Sequence, residues 1–319
     1  LGPKFAVAQD ETPSAETLAQ ALASGELEER RDAAYALADL GHDALPALPT
    51  LIKALSDRDD QVWMQSTMAI ARIGPPAVDA VPALLEFVDD RDDQKQYRSA
   101  WAIGKIGPTA IAELNKALKD ADERKRRGIA TALGWMTSDA ASVLPELQQL
   151  LDDESEDVCV AAAKALARLG EAAEAALRDA LMNQHPEVRA AAANGLATIT
   201  RLSPESVAAL VDVSTDESPH VRSEAIVALA SSNYDRTKLL PKIVESFSDD
   251  ELSVRSAAVI ALKKLGPDSA KAVPMLVQLL KSEQPTQREA AAFALGNMGR
   301  AAETAIPNLI DALKYHDSG

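Results

Sequence analysis

The sequence predicts an all-α solenoid of about nine stacked antiparallel helix pairs, and three observations predict it. An apolar helical run closes on a glycine, or on a polar substitute, every 33 or 30 residues. A small residue followed by Leu or Ile recurs at one register of every run. Aromatic residues make up only 3% of a chain that is 47% apolar. A fixed period of this size marks an array in which each unit buries its face only against its neighbours. Ala and Leu in place of rings let helix backbones approach closely.

Taken in chain order, residues 1–14 read as a flexible tail, with Leu1-Gly2-Pro3 as a processing or cloning remnant. Ala6-Val7-Ala8 before Gln9 matches the small-residue end of an export signal, a match that an alanine-rich chain offers by composition alone. Localisation therefore stays open between cytoplasm and export. Residues 15–317 read as one uninterrupted array.

Each unit opens on a short polar turn residue: Ser24, Asp57, Asp90, Asp120, Asp153, Asn183, Asp216, Asp249 or Ser282. Six residues on comes Arg30, Trp63, Gln96, Arg126, Cys159, Arg189, Arg222, Arg255 or Arg288. Eleven further stands the closing column: Gly41, Gly74, Gly107, Thr137, Gly170, Thr200, Asn233, Gly266 and Gly299. Between them the small column (Ala36, Ala69, Ala102, Ala132, Ala165, Gly195, Ala228, Ala261, Ala294) precedes the Leu/Ile column. Spacings of three, four and seven place both on one buried face of a stacking helix, and the closing Gly fits a left-handed C-cap. Eight residues after that column come Pro49, Pro82, Pro145, Pro241, Pro274 and Pro307. Lacking an amide donor, each either starts a second helix or kinks it. The units after Gly107 and Gly170 lack the proline and three residues, which predicts a proline-side helix shorter by about one turn and an intact stacking helix.

The recurring motif is P-x-L-x-x-L-L, then Asp, then V-R-x-x-A-A-x-A-L-x-x-L-G, as in Val273–Leu280 and Val254–Gly266. On these residues the chain resembles HEAT-repeat proteins of the short-repeat, phycobilisome-lyase HEAT-like type, over about residues 15–315. The resemblance implies a right-handed superhelix, with the V-R helices lining its concave face and the proline helices its convex face. Neither the ankyrin T-P-L-H pattern nor the tetratricopeptide pattern occurs.

Asp57, Asp90, Asp120, Asp153, Asp216 and Asp249, with Arg126, Arg189, Arg222, Arg255 and Arg288, predict a structural ladder. The Asp caps the following helix and accepts from an arginine of its own or the neighbouring unit. The ladder lapses at Trp63, Gln96 and Cys159. Opposite the buried face, five residues after the arginine column, stand Tyr35, Met68, Trp101, Thr131, Lys164, Asn194, Val227, Ile260 and Phe293. Neighbouring columns add Arg31, Met64, Arg72, Tyr97, Lys105, Arg127 and Trp135. Tyr35, Met64, Met68, Tyr97, Trp101, Lys105, Arg127 and Trp135 form the predicted partner-binding set, because Tyr, Trp and Arg anchor interfaces. The alternative is that the tryptophans only fill space between units.

Charge narrows the partner. The chain holds 33 Lys+Arg against 49 Asp+Glu, net −16. Residues 61–137 hold 11 and 10, so all of the excess lies elsewhere. Acidity disfavours nucleic acid and the DNA-glycosylase branch of HEAT-like proteins. No apolar run is long enough to span a membrane, so the chain reads as soluble. A lone Cys159 and scattered His42, His185, His220 and His316 offer no metal set, and the His-Glu dipeptide of the iron-binding HEAT hydroxylase is missing. With no convergent acid, base or nucleophile, the reading leans away from an enzyme and toward a cofactor-free scaffold taking a peptide or protein in its groove. A bilin-attachment lyase, or lyase subunit, and a purely architectural element are the alternatives; oligomeric state stays open.

Overall fold

The computed structural model describes residues 13–232 and 235–314, so the Ala6–Ala8 match, Asn233 and His316 lie outside the described residues. Every regular element among the described residues is helical. Two compact units divide between Leu169 and Gly170.

In the first unit the stacking helices are Leu27–Leu40, Asp60–Ile73, Asp93–Ile106, Glu123–Leu133 and Glu156–Leu169, each packed on the next. In the second they are Pro186–Leu196, Pro219–Ser231, Leu252–Leu265 and Pro285–Met298, packed in the same succession. The Leu/Ile column is buried throughout, from Leu37 and Ile70 to Leu262 and Leu295. Each such side chain contributes about 1.5–3 kcal/mol by leaving water. The small column is buried from Ala69 onward; Ala36, in the first stacking helix, is half-buried.

The closing glycines explain helix length. Gly41, Gly74, Gly107, Gly266 and Gly299 have φ between 55° and 77° with ψ between −122° and −156°. That is the glycine-only region rather than the left-handed helical one the sequence suggested. Stacking helices that end on them run 14 residues. Where Thr137 and Thr200 hold the column, the helices stop at Leu133 and Leu196 after 11 residues, because a β-branched residue cannot make that turn.

Pro49, Pro82, Pro145, Pro274 and Pro307 start their helices, whereas Pro241 lies inside Arg236–Glu245. A 3₁₀ segment precedes most second helices. It spans seven residues at Gly41–Ala47 and Gly266–Ala272, but four at Gly107–Ala110 and Gly170–Ala173. The second helices of the short units, Ile111–Leu118 and Glu174–Ala180, are as long as Leu48–Ala54 in a full unit. The missing residues therefore come out of the 3₁₀ connector and not out of the helix as expected.

Arg30, Arg126, Arg189 and Arg222 each reach forward 27 residues, presenting Nε and Nη2 to both carboxylate oxygens of Asp57, Asp153, Asp216 and Asp249 at 2.8–3.3 Å. Their Nη1 groups donate to carbonyls of their own turn, Gly25, Ala121, Asn183 and Asp216. One guanidinium thus ties two successive units. The Asp does not cap the helix: its carboxylate accepts from the N–H two residues on, as Asp57 from Asp59 and Asp216 from Ser218, and the cap passes to residues such as Asp59, Asp92 and Asp122. Burial pushes the Asp216 and Asp249 carboxyls up, but the arginine bonds and a backbone N–H outweigh it and hold both below the usual range.

The ladder narrows at four predicted members. No ladder arginine reaches Asp90 or Asp120, whose partners in the preceding unit are Trp63 and Gln96. Arg255 and Arg288 hold only their own turns, through the Asp249, Asp250, Ser282 and Glu283 carbonyls. Ser282 stands where Arg255 would find a carboxylate. A second rung absent from the sequence reading joins Arg31 to Asp59 at 3.0 and 2.6 Å.

Candidate functional site

All the predicted partner-binding residues lie in the first unit. Tyr97, Trp101 and Lys105 are spaced by four on the Asp93–Ile106 helix and form one stripe. Tyr97 is 49% exposed, Trp101 half-buried and Lys105 exposed. The Lys105 ammonium sits 5.9 Å from the Trp101 ring centroid, a cation–π contact at its outer range.

Trp135 joins this stripe by a route that helical register does not give. Its helix ends at Leu133, and the chain turns with the Trp135 N–H donating to the Ala132 carbonyl. Trp135 then lies against Gly104, where a Cβ would stand 2.2 Å from the Trp135 Cβ. Only glycine admits that approach. The Trp135 ring meets Tyr97 edge-on at 5.5 Å and 89°, and the Arg168 guanidinium covers it at 4.9 Å. Arg168 is exposed, and partial desolvation draws its pKa down against an opposing pull from Tyr97. Arg168 was missed in the sequence; it falls nine residues after the Cys159 position, the column that in the preceding unit holds Trp135.

The other predicted members are placed as follows. Tyr35, 50% exposed, and half-buried Met68 share the register of Trp101 on the Leu27–Leu40 and Asp60–Ile73 helices. Met64 is half-buried one turn earlier. Arg127, half-buried, lies 3.7 Å from Asp157. Arg31 and Arg72 are engaged within the fold, Arg31 by Asp59 and Arg72 by the Ala38 carbonyl and Asp39. In the second unit the same register as Trp101 carries Val227, half-buried, with Ile260 and Phe293 exposed.

Trp63 belongs elsewhere. At 3% exposure it fills the ladder position, edge-on to Phe87 at 5.5 Å with the Lys95 ammonium 5.6 Å from its ring. Packing of rings replaces the ion pair at that junction. Cys159, another ladder substitute, is buried, and its thiol donates to the Asp153 carbonyl at 3.1 Å. Burial pushes that thiol up. Among the described residues no group of three or more His, Cys, Asp or Glu is arranged to hold a metal ion, and no helix is long and apolar enough to cross a membrane.

The profile of the family described as HEAT repeats matches residues 15–96, 81–167, 144–230, 174–263, 214–286 and 240–319. Sequence comparison with characterised proteins gives no match. Among solved structures, the fold is similar to that in a Kap95:Nup1 complex, with a TM-score of 0.57 and 17% identity over 94% of this chain and 48% of that one. It is also similar to the karyopherin Kap121p bound to the extreme C-terminus of the protein phosphatase Cdc14p, with a TM-score of 0.55 and 17% identity over 96% and 41%. The chain spans less than half the length of either. At such identity the likeness is one of fold.

Proposed function

This chain belongs to the HEAT-repeat family, and from that premise we propose that it is a non-catalytic scaffold binding a peptide or protein partner. The observation that carries the reading is the outward stripe Tyr97–Trp101–Lys105 with Trp135 and Arg168 upon it. Rings are scarce in this chain, and here several converge, with cations over them, on a face that neighbouring helices leave open. We take this face for the concave wall that the family resemblance implies. The solved relatives of like fold hold partners of this kind, Nup1 on Kap95 and a C-terminal segment of Cdc14p on Kap121p, which supports the same class of ligand here.

The test pairs wild type with Tyr97→Ala/Trp101→Ala. A partner captured from the source organism, then purified and titrated, binds wild type and loses at least 100-fold in affinity for the double variant, while far-ultraviolet circular dichroism is unchanged. Unaltered affinity, or equal loss of helicity, refutes it. The narrower lyase subtype rests on motif spacing alone. Free bilin added to the protein gives a saturable absorption change if that subtype is right and none if the scaffold reading is.

A further inference from the structure

The cations of the first unit divide into those paired within the fold and those, such as Arg58, Arg91, Arg98, Lys105 and Arg168, with no carboxylate within ion-pair distance among the described residues. Arg30, Arg31, Arg72 and Arg126 are all committed to carboxylates within the fold. Lys105 and Arg168 stay unpaired although the chain as a whole carries 49 Asp and Glu. Both lie instead over indole rings, at 5.9 and 4.9 Å. Lys164, exposed at the register of Trp101 two units on, adds a third cation to this face.

Two consequences follow from elementary electrostatics. The protein's own cations already cover the Trp101 and Trp135 rings, so a partner's lysine or arginine would meet like charge where it would otherwise find a π face. Arg168 is exposed and has no counter-ion within the fold, so its guanidinium is open to an incoming carboxylate, with which it can form charge-assisted bonds. Gly104 lets Trp135 pack on the helix that carries Trp101 and Lys105, and Arg168 lies over the Trp135 ring.

We infer that this face takes an acidic peptide segment, with its carboxylates on Lys105 and Arg168 and its apolar side chains against Tyr97, Trp101 and Trp135. The inference rests on the scaffold reading above and names the chemistry of its ligand.

A randomised ten-residue peptide library displayed on phage, selected on the full chain, tests it. The expected outcome is enrichment of Asp and Glu beside aromatic or aliphatic residues. A synthetic peptide of the selected sequence then binds at least tenfold more weakly to Lys105→Gln/Arg168→Gln, loses affinity as salt rises, and regains part of it with Arg168→Lys. Selection of basic or neutral sequences that still depend on Tyr97 and Trp101 overturns the acidic ligand and leaves the scaffold reading standing. Selection of nothing, or of peptides indifferent to the aromatic double variant, overturns both. A ten-nucleotide oligo-dT that displaces the selected peptide at equal concentration also overturns the inference, because the cations would then be reading phosphate.

Discussion

Arg222→Ala and Arg255→Ala remove the same residue from the same column of adjacent units, yet the structure assigns them different costs. Arg222 donates twice to Asp249 at 2.8 Å and twice to the carbonyls of its own turn at 2.8 and 3.1 Å. Its side chain and that of Asp249 are 16% and 15% exposed. Removing one member of a buried pair costs about 3–5 kcal/mol through the charge left behind, and the residual exposure lowers this to about 2–4 kcal/mol. Arg255 loses only two bonds of 2.7 Å to carbonyls and strands no carboxylate, so about 1–2 kcal/mol is expected. Urea unfolding followed by circular dichroism and fitted to a nearest-neighbour repeat model measures both, since a single two-state fit does not suit an array. A double-mutant cycle of Arg222→Ala with Asp249→Ala isolates the inter-unit bond, for which a coupling of about 1.5–3 kcal/mol is expected. Equal costs for the two arginines, or a coupling below about 1 kcal/mol, the upper end for surface pairs, would refute the forward-reaching rung.

Two further outcomes follow from the geometry. The Arg31 bonds, opposed by burial and aided by the N–H groups of Val62 and Gln61, hold the Asp59 carboxyl at about 2 against an ordinary 3.8. A depressed carboxyl stabilises the fold above its unfolded pKa, so the urea midpoint falls as pH drops from about 4 to about 2, and Asp59→Asn flattens that part of the profile. A profile unchanged by the substitution removes the second rung from the account. Gly104→Ala forces the Trp135 backbone outward and costs about 1–3 kcal/mol by overpacking. Tryptophan fluorescence shifts with it, and an unshifted spectrum with full stability would mean that Trp135 does not rest there.

The period, the buried small and Leu/Ile columns and the proline starts were legible because they repeat; a column read nine times averages out local accident. The direction of the arginine was not legible, since residues 27 apart in the next unit and six apart in the same one are both plausible on spacing alone. Nor was the role of the turn Asp: an Asx turn and an N-cap use the same residue type two positions apart. Trp135 meets Tyr97 by a route that the register argument did not contain. The register argument assumed that the helix continued, whereas Thr137 ends it early and the chain swings back onto Gly104. Arg168 escaped because its ring partner is reached only after that swing. Trp63 shows the reverse limit, a large aromatic residue whose place in the ladder column gave no sign that it would be buried.

The four-residue connectors bear on how such a chain changes length. A 3₁₀ helix has three residues per turn, so cutting a seven-residue connector to four removes one complete revolution. The chain then enters the following helix at the same rotational phase, with its apolar stripe still aimed at the core. Loss of one or two residues would rotate that stripe by about a third or two thirds of a turn and expose it. Insertions and deletions in this array are therefore quantised in threes, and the step from a period of 33 to one of 30 is the smallest that leaves every face where it was.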